Sequence, residues 1–213
     1  MGKTPWVRLT GSMGTGGRGF PFRLLGFRRH GRQVKEVRMT EEARPLTGRE
    51  RTFADDEVIV SKTDLKGKIV YANRIFMKLA GLSEKETLGA PHSIVRNPEM
   101  PRCVFKLLWD TIQNGKEIFA YVVNRSQNGD HYWVFAHVTP SRDSSGNIVG
   151  YHSNRRTPDR HILEQTIMPL YRTLLQEENR HPNRKDGMQS SFNLLVNLLA
   201  EKKVGYDEFI LSL

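Results

Sequence analysis

Three runs of β-forming residues, Ile118 to Asn124, His131 to Ser141 and Asn147 to Arg155, follow one another across short polar connections. Strands joined by so little chain can pair only as an antiparallel meander, because a parallel pair needs a crossover of a dozen residues or more. The first connection contains Asn128-Gly129, a pair that tolerates positive φ at both positions and so predicts a type I′ turn. Alternation along the middle run then puts Tyr132, Val134, Ala136 and Val138 on one face. His131, Trp133, Phe135 and His137 fall on the other.

Upstream, Glu57 to Ser61 and Lys68 to Tyr71 read as a first hairpin turning at Asp64 to Gly67. Asn73 is placed to cap a helix from Arg74 to Ala80, and Gly81 to end it. Ser83 and Glu86 have the spacing of a capping box for a second short helix closed by Gly89. A longer helix is expected over Pro101 to Asn114, with Val104, Leu107, Leu108 and Ile112 on one face and Gly115 as its stop. The proline-bounded loop from Gly89 to Pro101 would face the meander, and a curved sheet opposite a polar loop suggests a small ligand cup.

The net charge of +10 invites a nucleic-acid reading, but the first 38 residues hold nine Lys/Arg against Glu36 alone. The body is nearly neutral. Residues 1–54 are therefore expected to be a basic, disordered extension, with Met39 a candidate true start, and no nucleic-acid partner is expected. Cys103 is the sole cysteine, which excludes an intrachain disulfide and fits a reducing compartment. No apolar run reaches the ~20 residues of a membrane span. The expectation is a cytoplasmic protein.

After the meander, Asp159 can cap a helix to about Arg180, kinked or split at Pro169. Pro182 and Gly187 suggest a loop. A second helix from Gly187 to Lys203 would bury Met188, Phe192, Leu195, Val196 and Leu199, and Gly205 would precede a short apolar terminus. These stripes are expected to fold back onto the sheet's outer face at Trp133 and Phe135, or to pair across a homodimer.

Several motifs together resemble the PAS domain of bacterial aerotaxis receptors: Ser61-x-Thr63-Asp64, Ala72-Asn73, Gly89-x-Pro91-His92-x-x-Val95-Arg96, Pro98-x-Met100-Pro101, Asn124-Arg125 and Asn128-Gly129-Asp130-His131-Tyr132-Trp133-Val134. The resemblance implies an α+β PAS fold over 55–156: a five-stranded antiparallel sheet with short helices on one face, followed by a helical extension at 157–213. It also implies non-covalent FAD and redox sensing. By similarity, the cofactor site takes Asn73, His92, Arg96, Asn97, Glu99 and Ile118, with Val122, Asn124, Val134, Ala136, Val138, Ser153 and Arg155 lining the cup.

Asn124 would pair with the ring edge, the alternative being a strand-end turn cap. Arg96 would contact the flavin, the alternative being an ion pair with Glu99. The chain departs from the receptor pattern at Asn97, Glu99 and Ile118, where the receptors usually carry His, Asp and Trp. His92 stands where light-sensing relatives carry the cysteine that forms their flavin adduct, which argues against that photochemistry.

The function expected is a sensory PAS protein signalling through its C-terminal helices within a chemotaxis or two-component pathway. A cofactor-free interaction module is one alternative. A haem sensor using His92, His131, His137 or His152 is another. An enzyme is not expected, since the sequence offers no nucleophile-base arrangement, metal-ligand spacing or phosphate loop.

Overall fold

A computed structural model describes residues 45–213. Five strands, β1 (Ile59–Thr63), β2 (Ile69–Ala72), β3 (Ile118–Arg125), β4 (His131–Arg142) and β5 (Ile148–Arg156), form one antiparallel sheet in the order β2-β1-β5-β4-β3. Between β2 and β3 come α1 (Arg74–Ala80), α2 (Glu84–Thr87), a 3₁₀ turn (His92–Val95) and α3 (Arg102–Gln113). The tail holds α4 (Arg160–Ile162), a π turn (Leu163–Ile167), α5 (Met168–Asn179), α6 (Arg184–Glu201) and α7 (Tyr206–Leu211). The sheet meets helices on both faces. Phe76, Val104 and Ile112 bury against its inner side, while Tyr171 of α5 lies beside Trp133 on the outer side.

The caps follow the sequence. Asn73 Oδ1 accepts the N–H of Phe76, Gly81 ends α1 in the left-handed region, and Ser83 with Glu86 forms a capping box on α2. The meander turn is a correction. Gly129 has φ +97° but Asn128 is not positive, so the loop is not type I′. Gly129 N–H donates to Ser126 O and Ser126 N–H to Asp130 O, giving a three-residue loop with one left-handed glycine. Glycine is required there twice over, because a Cβ would also collide with the Pro45 carbonyl oxygen.

That contact corrects the extent of the N-terminal extension. The basic head at 1–44, Met39 included, lies outside the described residues. Residues 45–54 are not disordered: Thr47 Oγ1 and Arg51 Nε both donate to the Asp130 carboxylate, at 2.7 and 2.9 Å. Arg51 also reaches the Leu79 carbonyl, and Glu50 bridges to His131.

The first tail helix is interrupted at Pro169 as expected: a π turn over Leu163–Ile167 separates α4 from α5, where the missing proline N–H and its ring conflict with a continuous α-helical turn. The rest of the tail departs from expectation. Gly187 is no loop residue, because α6 begins at Arg184 under an Asn183 cap. Gly187, Ser191 and Leu195 form its buried row, and a Cβ at Gly187 would collide with Glu178 O, so this glycine sets the close crossing of α6 on α5. The register exposes Val196, which the periodicity had placed inside.

The outer-face packing is direct. The Trp133 and Tyr171 ring centroids are 6.0 Å apart, and the Tyr171 phenol donates to the Tyr121 carbonyl of edge strand β3 at 2.6 Å. Sheet and tail share one buried core.

Candidate functional site

Register fixes which side chains meet. Ser61 on β1 opposes Ser153 on β5, which in turn opposes Val138 on β4, and Arg155 opposes Ala136. Directly paired residues project from the same face, so these side chains line up across the inner surface. The loop from Pro91 to Arg96 and the flank of α3 close over them, leaving a cavity of about 180 Å³. Of the residues expected at the cofactor, His92, Arg96, Val122 and Asn124 stand in its wall. Ala136, Val138, Ser153 and Arg155 complete that set.

The wall's polar centre is a buried cluster from three elements. Arg155 is 5% exposed, and its Nη2 lies 2.9 Å from Ser61 Oγ and 2.7 Å from His92 Nε2. Both neighbours accept, which requires a neutral imidazole with its proton on Nδ1. Burial, followed by the adjacent Arg155 charge, pushes the His92 pKa down to about 3. Burial also brings Arg155 down to about 10. The Phe76 ring centroid lies 5.7 Å from the Arg155 guanidinium carbon, close enough for its π face to supply part of the stabilisation that water would give. Arg155 Nη1, Thr63 Oγ1 and Ser153 Oγ are buried without a hydrogen-bond partner among the described residues.

Other expected residues stand elsewhere. Asn73 is committed to structure: its Oδ1 accepts from Val60 and Phe76, and its Nδ2 donates to Val58 O. Asn97 is buried but spent on the loop, with Nδ2 3.5 Å from Asn124 O and Oδ1 accepting the Glu99 N–H. Glu99 is exposed and outside the wall, while Ile118 and Val134 are enclosed in the core.

Arg96 lies over the Phe105 ring at 4.9 Å, and among the described residues it has no ion pair with Glu99. The meander turn is closed by Asn128, whose Oδ1 accepts the Asp130 N–H; Asn124 instead lines the cavity. Because His92 Nε2 is held by Arg155, that nitrogen is not a free haem ligand.

Sequence reasoning missed Ser61, Thr63, Phe105, Trp109 and Tyr151 as wall residues. A signal for two of them was present: Ser61 and Thr63 alternate with Ile59 on a strand face that should be apolar throughout if it met only core. Phe105 and Trp109 lie one helical turn apart on α3, so they present one aromatic edge.

Residues 69–155 match the family described as PAS fold. This segment has the PAS fold. The aerotaxis receptor of Escherichia coli (strain K12) is 39% identical over 130 residues, spanning 61% of this chain and 25% of the receptor. Phototropin-1A of Oryza sativa subsp. japonica is 28% identical over 80 residues, 38% of this chain and 9% of that protein. This chain therefore spans a quarter or less of the length of either relative. Among solved structures, the dark structure of the blue-light photoreceptor Aureochrome1 LOV has a TM-score of 0.46 at 30% identity, covering 51% of this chain and 81% of that one.

The PAS cavity connects to the tail through α3. One flank of that helix supplies Phe105, Leu108, Trp109 and Ile112 to the wall. At its N-terminus, Glu178 of α5 accepts from both Arg102 and the backbone of Cys103. Cys103 is fully buried, and burial raises its thiol to about 11. No helix among the described residues is long and apolar enough to cross a membrane.

Proposed function

We propose that this chain is a non-catalytic sensory module that holds FAD non-covalently and reports the state of its ligand through the C-terminal helices. The observation that carries the reading is the wall itself: buried donors on Thr63, Ser153 and Arg155 without partners, beside the aromatic edge of Phe105 and Trp109. Donors of this kind suit the carbonyl and nitrogen edge of a flat ring, and the apolar flank suits its faces. At about 180 Å³ the cavity is smaller than the ~300–1,000 Å³ of sites that bury drug-sized ligands, so the wall would have to open around a flavin ring system to admit it. A flavin, when bound, supplies reversible electron transfer. Asn124 and Arg155 would orient it, Arg96 would border it, and α3 would carry any change in wall packing to Glu178.

The identity with the aerotaxis receptor over the PAS segment supports redox or energy sensing, in the cytoplasm and within a chemotaxis or two-component pathway. The modest cavity volume favours a second reading, a cofactor-free interaction module that pairs as a homodimer or docks on a signalling protein. Absorption spectra of the freshly purified full chain, before and after reduction and after denaturation, separate the two. Flavin bands released on unfolding support the first reading. A colourless protein that stays colourless after incubation with FAD overturns it.

A further inference from the structure

Arg155 carries a charge that no acidic side chain among the described residues neutralises. Its side chain is buried, yet no Asp or Glu lines the cavity and no ion pair reaches it among the described residues. Its hydrogen-bond partners, Ser61 and His92, are neutral acceptors, and both are taken by Nη2. The penalty for burying an ion is several kcal/mol even after relaxation, and a protein ordinarily offsets it with a carboxylate. Here the other charged side chains in the wall, Lys66 and Arg96, are positive as well. Nη1 has no partner, and Thr63 Oγ1 and Ser153 Oγ add unpartnered hydroxyls on the adjoining strands.

We propose that Arg155 forms an anion subsite in the cavity wall, and that the ligand class it selects is a small planar aryl carboxylate. A carboxylate supplies two acceptor oxygens to the guanidinium fork and brings the missing negative charge. An attached aromatic ring meets Phe105 and Trp109 on the α3 side. Size agrees: an engineered apolar cavity of ~150 Å³ in another protein takes one benzene ring, and this one measures about 180 Å³. The inference rests on the reading that this cavity admits a ligand; an aryl carboxylate and a flavin ring would occupy the same wall in turn, not together.

The test is calorimetric titration of the full chain, stripped of any chromophore and verified as folded by its thermal transition, with sodium benzoate and with benzamide, its neutral near-isostere. Benzoate is expected to bind at least ten-fold more tightly than benzamide and to perturb Trp109 fluorescence. Arg155→Met is expected to lose the benzoate preference while Arg172→Met, at an exposed arginine outside the wall, keeps it. Equal affinity for the two compounds, binding of neither, or an unchanged preference in Arg155→Met overturns the proposal. If Arg155→Met does not fold, the benzoate-to-benzamide ratio on the parent protein decides alone. Failure of the flavin reading shows separately, as a protein that takes up no FAD, and leaves this ratio unaffected.

Discussion

Glu178 caps a helix it does not belong to: its Oε1 accepts the backbone N–H of Cys103 at 2.9 Å, at the start of α3, while its Oε2 accepts from Arg102 Nε at 2.9 Å. At 2% exposure the carboxylate has no water to fall back on, whereas Arg102 at 23% can resolvate. Glu178→Ala is therefore expected to cost about 2–3 kcal/mol, the range for hydrogen bonds to a charged group with one side left unsatisfied. Urea unfolding followed by tryptophan fluorescence measures it. A loss under about 0.5 kcal/mol, the scale of ordinary surface substitutions, would show that the cap contributes little.

Gly187→Ala tests the crossing of α5 and α6. In an unobstructed helix this change is stabilising by up to ~1 kcal/mol. Here the added Cβ meets backbone at Glu178 O, so the sign should reverse, with a loss of about 1–3 kcal/mol typical of overpacking. The change in urea midpoint reads the sign directly.

His92 gives the fold a pH dependence. Its folded pKa, about 3, lies below the ordinary imidazole value near 6.5, so the unfolded chain binds the proton first. The groups packed around it are the Arg155 cation on β5, the Ser61 hydroxyl on β1 and the Phe76 ring on α1. Stability from keeping His92 neutral is complete above pH 6.5 and declines as pH falls toward 3. Thermal melts across that window should slope more steeply for the parent than for His92→Gln, which does not titrate.

Asp130 acts at lower pH. Hydrogen bonds from Thr47, Asn128 and Arg51 hold its carboxyl well below the usual range. Its contribution is present above the ordinary carboxylate pKa near 3.9 and is lost as pH drops below it. A chain beginning at Asp55 lacks Thr47 and Arg51, so it should melt lower at pH 7 than one beginning at Pro45. It should also show a shallower acid limb.

Much of this architecture was legible because local signals agreed with tertiary ones. Asn73, Ser83 with Glu86, Asp159 and the glycines at 81 and 115 each specify a boundary by chemistry that acts within a few residues. What escaped depended on contacts distant in sequence. Gly187 reads as a breaker until the Glu178 carbonyl is beside it. Thr47 and Arg51 sit in a basic stretch that resembles a solvated arm until Asp130, some eighty residues on, accepts from them.

The site divides in the same way. The resemblance chose the face, and strand pairing then brings Ala136, Val138, Ser153 and Arg155 together on it, with Asn124 on the neighbouring strand. Alternation does not say how deep a residue lies along that face, so Val134 and Ile118 were expected in a wall that stops short of them. In the loop, Asn97 shares a motif with Arg96, but its amide is consumed in shaping the chain.

The phenol of Tyr171 on the Tyr121 carbonyl has a consequence for any shortened form of this protein. β3 is the last strand of its sheet, and α5 and α7 lie against it. Without them its backbone would present a row of open donors and acceptors flanked by Phe119, Tyr121 and Val123, a template on which a second copy can add a strand. The Tyr171 phenol therefore occupies one acceptor, Tyr121 O, on an edge that is otherwise a template for strand addition.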